Sequence, residues 1–328
     1  MTTLALPRPP KNSDPCTVST TLVRCSSSKS SPELDLSLCE TSSKLSAKPH
    51  YQMSTRQQIV ITPYKTLGDS GRELWEYRDL FYFLAWRDFK VRYKQTVIGA
   101  TWAVIRPLLT MLVFTVIFGR IAKLPTEGEA PYAIMVFTAM LPWYFFSNTL
   151  SESANAVVNN SAMISKVYFP RIIAPTAPLL VNIIDFLISF VLLLALMAWY
   201  RFQPSIYILL MPLFLLLAAI TALGLGYLIS ALNVKYRDFR YVIPFIVQIG
   251  LYISPVGFSS QVIPEQWRLW YSLNPMVGVI DGFRWMVIGD SANIYWDGFF
   301  LSNAISLALF LIGYRYFMHT ERQFADSL

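Results

Sequence analysis

The stretch Val91–Leu112 reads VRYKQTVIGATWAVIRPLLTML, and its reading decides the fold. A strongly apolar run begins at Val97, yet Arg106-Pro107 stands inside it. A permanent cation and a residue without a backbone donor would be an odd choice in a soluble core. In a membrane span the same pair makes sense. Arg106 lies nine residues beyond Val97, roughly 13 Å at the rise of an α-helix, so its guanidinium can reach back to the headgroups. Pro107 can bend the helix and widen the path beside it. Two readings stay open: a snorkelling cation on a packing kink, or a side chain lining a hydrated conduit.

Composition supports the membrane reading. Of 328 residues, 54% are hydrophobic and only 14% charged, against about 25% charged in a soluble domain. The deficit comes from long uncharged runs, which predict an all-α membrane protein. The net charge of +7 sits beside these runs and forms no stripe interleaved with base-stacking aromatics. It therefore reads as membrane-orienting charge, and nucleic acid is not an expected partner.

Six spans are expected, at about 98–120, 131–150, 175–199, 206–232, 240–258 and 298–318, each near the ~20 residues that cross a bilayer. The fifth is interrupted by Pro244, Gly250 and Pro255, and the second carries Pro142. With a cytoplasmic N-terminus, the inside segments hold Arg87, Lys90, Arg92, Lys94, Lys166, Arg171, Lys235, Arg237, Arg240 and Arg322. The outside segments hold Arg120, Lys123, Arg201, Arg268 and Arg284. The excess of basic residues inside places both termini in the cytoplasm.

Three domains are expected: 1–56, a cytoplasmic segment 57–97, and a six-span domain 98–325. The first is rich in Ser, Thr and Pro without periodicity, the composition of a disordered extension. It holds all three cysteines, Cys16, Cys25 and Cys39, at spacings that match no zinc pattern. Met53 is a second candidate start. In 73–94, ELWEYRDLFYFLAWRDFKVRYK, Glu76, Asp79, Arg87 and Lys90 fall within one arc of a helical wheel. That pattern predicts an amphipathic helix in the headgroup layer.

Catalytic signals are missing. The chain has no G-x-x-x-x-G-K-[ST], G-x-S-x-G or H-E-x-x-H pattern and only two histidines, His50 and His319. It reads as a passage, not an enzyme, with no cofactor of its own. Asp185, in VNIIDFLISF, is the one carboxylate deep in a predicted span, with Asn182 one turn earlier on the same face. Such a group is costly in lipid. It reads either as part of a hydrated pathway paired with a cation such as Arg106, or as a hydrogen-bonded packing anchor.

The segment SESANAVVNNSAMISKVYFPR, 151–171, predicts a short cytoplasmic helix. Ala154, Val157, Val158 and Ser161 form a thin apolar edge, and Ser151, Asn155 and Asn159 a small polar face. Such a helix fits a groove on a partner protein. The segment 259–297 is long and aromatic and too polar to span, which suits helices dipping into the outer interface.

Taken together, ELWEYRDLFYFLAWRDFKVRYKQTVIGATWAVIRPLL, FFSNTLSESANAVVNNSAMISKVYFPR, ALNVKYRDFRYVIPF and the LNPM…GFRW stretch resemble the type-2 permeases of ATP-binding-cassette exporters. The resemblance is to the branch that exports O-antigen and capsule, and it covers roughly residues 57–325. It implies a homodimer in the bacterial inner membrane, bound to two copies of a separate ATPase that holds ATP and magnesium. The cargo would be a polysaccharide, with a small lipid or drug as the alternative.

Residue roles follow from the same resemblance. Ser151, Ala154, Asn155, Val158, Asn159 and Lys166 would belong to a helix that contacts the ATPase, with Tyr236, Arg237 and Asp238 as a second contact. Trp75, Arg78, Trp86, Arg87 and Arg92 would belong to an interfacial gate helix. Arg106 and Tyr252 would lie near the conduit. Asn274 and Arg284 would sit in the external re-entrant region, which also holds Trp267 and Trp270.

Overall fold

The computed structural model describes residues 75–94, 99–128, 130–167, 169–236, 238–289, 292, 294–321 and 324, without the side chains of 99–103. The expected disordered extension 1–56 lies outside the described residues. Those described all belong to one compact unit, Thr62–Leu328.

Helix α1 (Arg78–Lys94) is followed by α2 (Gly99–Phe114), which runs through Pro107 and continues as a π-helical stretch, Thr115–Ile121. Next come α3 (Tyr132–Asn159), the single turn α4 (Ser161–Ile164) and α5 (Ile173–Trp199). A 3-10 turn, Ile206–Leu210, capped by the Ser205 hydroxyl, leads into α6 (Met211–Lys235). Then follow α7 (Phe239–Ile253), α8 (Glu265–Tyr271), α9 (Pro275–Ile288) and α10 (Trp296–Thr320).

Among the described residues, five stretches are long and apolar enough to cross a membrane: Val104–Ile121, Tyr132–Asn159, Ile173–Trp199, Ile206–Lys235 and Trp296–Thr320. The expected fifth span, 240–258, is different. Helix α7 stops at Ile253 after 15 residues, about 22 Å against ~30 Å of hydrocarbon. Beyond it the chain turns back through the buried Ser254–Gly257.

The second helix also departs from expectation. It passes the expected end at 150 and carries on to Asn159, where Asn160 breaks it. The expected separate helix of 151–166 is therefore the tail of α3 plus the turn α4. No helix breaker occurs between Pro142 and Asn160, and Ser151, Asn155 and Asn160 each bond a carbonyl four residues back. Helix α1 departs in character: polar and apolar side chains are not segregated along it. Its aromatic residues Tyr82, Phe83 and Trp86 are exposed beside its cations, as is Trp75 just before it.

Helix α3 is the axis of the bundle, buried along most of its length against α5, α6 and α9. The core stacks Phe137, Met140, Phe186, Phe214 and Phe283. Helices α6 and α10 approach closely through glycines. A Cβ on Gly313 would lie 2.0 Å from the Gly224 carbonyl oxygen, and one on Gly224 would lie 2.7 Å from Phe310 Cα. In lipid, such small-residue contacts supply the packing that water exclusion cannot.

Two ends of the bundle follow. At one end α1, α4, the start of α5 and the end of α10 share a small core that includes Leu84, Val157, Ile164, Ile173 and Phe317. At the other lie α8, α9 and the start of α10, where Asn274 caps α9 through the Met276 amide and Pro275 occupies its first turn.

Candidate functional site

At the α1 end, a cavity of about 280 Å³ opens between α1, α2, α3 and α5, lined among others by Arg92, Arg106, Tyr144, Glu152, Asn182 and Asp185. Three residues that the sequence singled out separately, Arg92, Arg106 and Asp185, thus share one space. Tyr252 does not join them and stands on the exposed face of α7.

The expected pairing of Asp185 with Arg106 is not found. Asp185 comes twelve residues into α5, about 18 Å along it, and there it meets the end of α1. It accepts from the Arg92 guanidinium and from the Tyr93 hydroxyl. The other guanidinium nitrogen of Arg92 pairs with Glu152. Asn182 closes the ring, accepting from Arg92 at 3.1 Å and donating to Glu152 at 3.1 Å. Burial alone would lower the Arg92 pKa, but the facing Glu152 and Asp185 carboxylates outweigh it and raise the value. Burial, then the Asp185 carboxylate, pushes the Tyr93 hydroxyl up as well.

One cation faces two carboxylates in this ring, and the second cation of the cavity, Arg106, takes another place. Its guanidinium lies 5.7 Å from the centre of the Tyr144 ring, within the range of a cation–π contact. The Tyr144 hydroxyl donates to Thr110, which donates to the Arg106 carbonyl. The Arg-Pro pair therefore puts a cation, with the aromatic face beneath it, on the wall of a polar cavity.

Sequence spacing gave no direct sign that Glu152 shares Arg92 with Asp185, although one signal was available. It is the one charged residue in the 28 residues of α3. Tyr93 and Tyr144 carry no such mark among so many aromatics.

The segments expected to contact a partner sit at the same end. Ala154 is fully buried, so it packs inside and cannot form an outer edge as expected; Val157 is buried with it. Asn233 donates to the Ala154 carbonyl at 3.0 Å and to the Asn155 side chain at 3.1 Å, tying the end of α6 to the tail of α3. Arg87 donates to Asn160 at 2.9 Å, tying α1 to the break after α3. Ser151 and Val158 are half-buried, and the outward surface is Asn159, Ala162, Ser165, Lys166 and Val167, with Tyr236 and Asp238 nearby in sequence to Asn233. Arg237 lies outside the described residues, and Arg78 is exposed.

At the opposite end, Trp267 and Trp270 are exposed, as interfacial anchors would be. Arg284 is not a surface residue. Fully buried, it donates to the Phe258 and Val256 carbonyls at 2.9 and 3.2 Å and faces Glu127 at 3.4 Å. It is a staple that holds the turn after α7 against α9. Asn274 donates to Ser254 at 3.0 Å in the same turn.

Residues 79–288 match the family described as ABC-2 type transporter. The chain belongs to this family. Among curated proteins, this ABC-2 type chain is 28% identical over 215 residues to the O-antigen export system permease protein RfbA of Myxococcus xanthus, covering 65% of this chain and 82% of the relative. A protein of the same name from Klebsiella pneumoniae is 27% identical over 240 residues, covering 71% and 91%. The capsule polysaccharide export inner-membrane protein CtrC of Neisseria meningitidis is 25% identical over 236 residues, covering 70% and 86%. The family match takes in nearly all of α1 and runs to the end of α9, so the ABC-2 type region contains the whole polar cavity.

Proposed function

We propose that this chain is the membrane subunit of an ATP-driven exporter that moves a surface polysaccharide, O-antigen or capsule-like, across a bacterial inner membrane. The observation that carries the reading is the likeness to export permeases named for those glycans, over most of their length and most of this chain. In this reading the chain works as a homodimer, with α7 completing a sixth, shortened crossing and both termini in the cytoplasm. ATP and magnesium belong to two copies of a separate ATPase, and this chain holds no cofactor.

The chain's own contribution is positional. Nucleotide binding must favour one permease conformation through contacts that differ between the two states. Asn159, Ala162, Ser165 and Lys166, together with Tyr236 and Asp238, offer the surface for those contacts. The Asn233–Asn155 and Arg87–Asn160 bonds then carry a displacement there to α6 and to α1. Helix α1 in turn closes the cavity through Arg92. Arg106 and Tyr144 offer the entering glycan or its anionic lipid carrier a cation and an aromatic face.

The test is purification from the native membrane followed by reconstitution. The chain is expected to bring down an ATPase whose hydrolysis depends on it, and loss of the chain is expected to strip the cell surface of polysaccharide. Transport by the chain alone, without a hydrolysing subunit, would overturn the reading. A deletion that leaves the surface glycan intact and abolishes release of a small lipid would assign the cargo elsewhere.

A further inference from the structure

The end of the bundle away from α1 holds a second cavity, of about 320 Å³, enclosed by α8, α9, the start of α10 and the turn Ser260–Val262. That volume lies at the lower end of the range for small-molecule sites. Its lining includes Asp281, Arg268, Ser260, Gln261, Tyr271 and Tyr295, and nothing in the ring of Arg92, Glu152 and Asp185 reaches it.

The walls are fixed before any ligand arrives. Arg268 donates to the Ile263 carbonyl at 3.0 Å and to the Gln261 carbonyl at 3.2 Å, which locks the turn onto α8. The Tyr271 hydroxyl donates to the Ile253 carbonyl at 2.7 Å, leaving its oxygen able to accept. Asp281 is held between Ser260 and Arg284, whose Nη1 lies 3.9 Å from its carboxylate.

The chemistry of the lining selects among ligands. A lipid tail would leave Asp281 Oδ1, which is buried and makes no hydrogen bond, unsatisfied. A phosphate or an acidic sugar would meet the Asp281 carboxylate. A metal ion would find one carboxylate and a facing guanidinium. A neutral sugar suits both kinds of group: its hydroxyls donate to carboxylate and tyrosyl oxygens and accept from the Arg268 N–H groups that hold no carbonyl. Its C–H faces suit the rings of Tyr271 and Tyr295.

We propose that this cavity is a binding subsite for one neutral pyranose ring of the glycan as it leaves the transporter. The inference rests on the export reading and adds a sugar site outside the passage. A hydroxyl-rich headgroup of a surrounding glycolipid has the same chemistry, and the experiment separates the two sources.

The permease is placed in phosphatidylcholine nanodiscs, which carry no sugar headgroup, avoiding maltoside detergents that would compete. Neutral oligosaccharides released by mild acid from the source organism's own surface polysaccharide are the probe, read by saturation-transfer NMR. Saturation of ring protons is expected with the wild-type chain. It is expected to fall at least fivefold in Tyr295→Ala, a partly exposed position whose loss leaves the core intact, and in Asp281→Asn. No transfer in the wild type, or equal transfer in both variants, overturns the subsite. So does a signal seen only from glycolipid in discs of native lipid. Because neither nucleotide nor ATPase is present, absent binding beside intact ATP-driven export sinks the subsite alone. Binding by a chain that supports no such export sinks the export reading alone.

Discussion

Arg92 at the end of α1 and Asp185 in the middle of α5, 93 residues apart in sequence, form an ion pair whose two side chains are 30% and 20% exposed. Glu152 shares the same guanidinium. The pair joins a helix outside the long apolar spans to one inside them, so α1 cannot move off the bundle without breaking it.

Removing one partner leaves a partly buried charge unmatched, which costs more than the pair contributes. Arg92→Gln and Asp185→Asn are each expected to destabilise by about 1–3 kcal/mol, with export reduced at least tenfold. The double variant should lose less than the sum of the singles. Thermal unfolding in nanodiscs, as a double-mutant cycle, reads this directly, and strict additivity would show that the contact carries no coupling.

Arg106 is exposed to the cavity and holds no carboxylate among the described residues. Arg106→Ala should leave stability within about 0.5 kcal/mol, as for surface sites. Export should nevertheless fall, and Arg106→Lys should restore part of it because charge survives without the planar group. A variant that exports normally removes Arg106 from the transport path.

Ala154 and Lys166 separate packing from partner contact. Ala154→Glu puts a charge into a site with no exposure and should prevent folding altogether, seen as loss of the monodisperse peak on size exclusion. Lys166→Glu, on the open surface, should fold normally and weaken stimulation of the ATPase. If both behave alike, the tail of α3 and the turn α4 do not divide as described.

Gly313→Ala tests the α6–α10 contact. Its Cβ would lie 2.0 Å from a backbone oxygen, which no rotamer change relieves. A destabilisation of about 3 kcal/mol or more is expected. An unchanged melting temperature would show that α6 and α10 are free to separate.

Asp281 is raised to about 7, chiefly by burial, with Arg284 opposing. The folded value thus lies above the unfolded one of about 4, so folding favours the protonated acid. Its contribution is complete below pH 4 and is lost as pH rises through about 7. Stability should fall between about pH 4 and about pH 7, and Asp281→Asn should flatten that part of the profile. An unaltered slope in the variant would assign the pH dependence to other groups.

The sequence alone determined the class of this protein and most of its long helices. Charge density and apolar run length depend on the free energy of moving side chains into lipid, a property of each segment by itself, so 173–199 and 296–320 were legible within two residues. The same logic marked Arg106 and Asp185 as costly and therefore informative. Arg284 read as part of a surface-dipping region, because nothing in GFRW shows that carbonyls from Val256 and Phe258 converge on it.

Tertiary structure decided the pairings. Whether Asp185 meets Arg106 or Arg92 depends on how far the end of α1 reaches beside α5, and no local pattern encodes that distance. Likewise Ala154 faces inward because α6 and α5 occupy the space beside it, while a helical wheel fixes only which residues share a face. Local free energies choose the elements. Which faces meet is settled by packing between segments many residues apart, and there the cavity with its one shared cation is made.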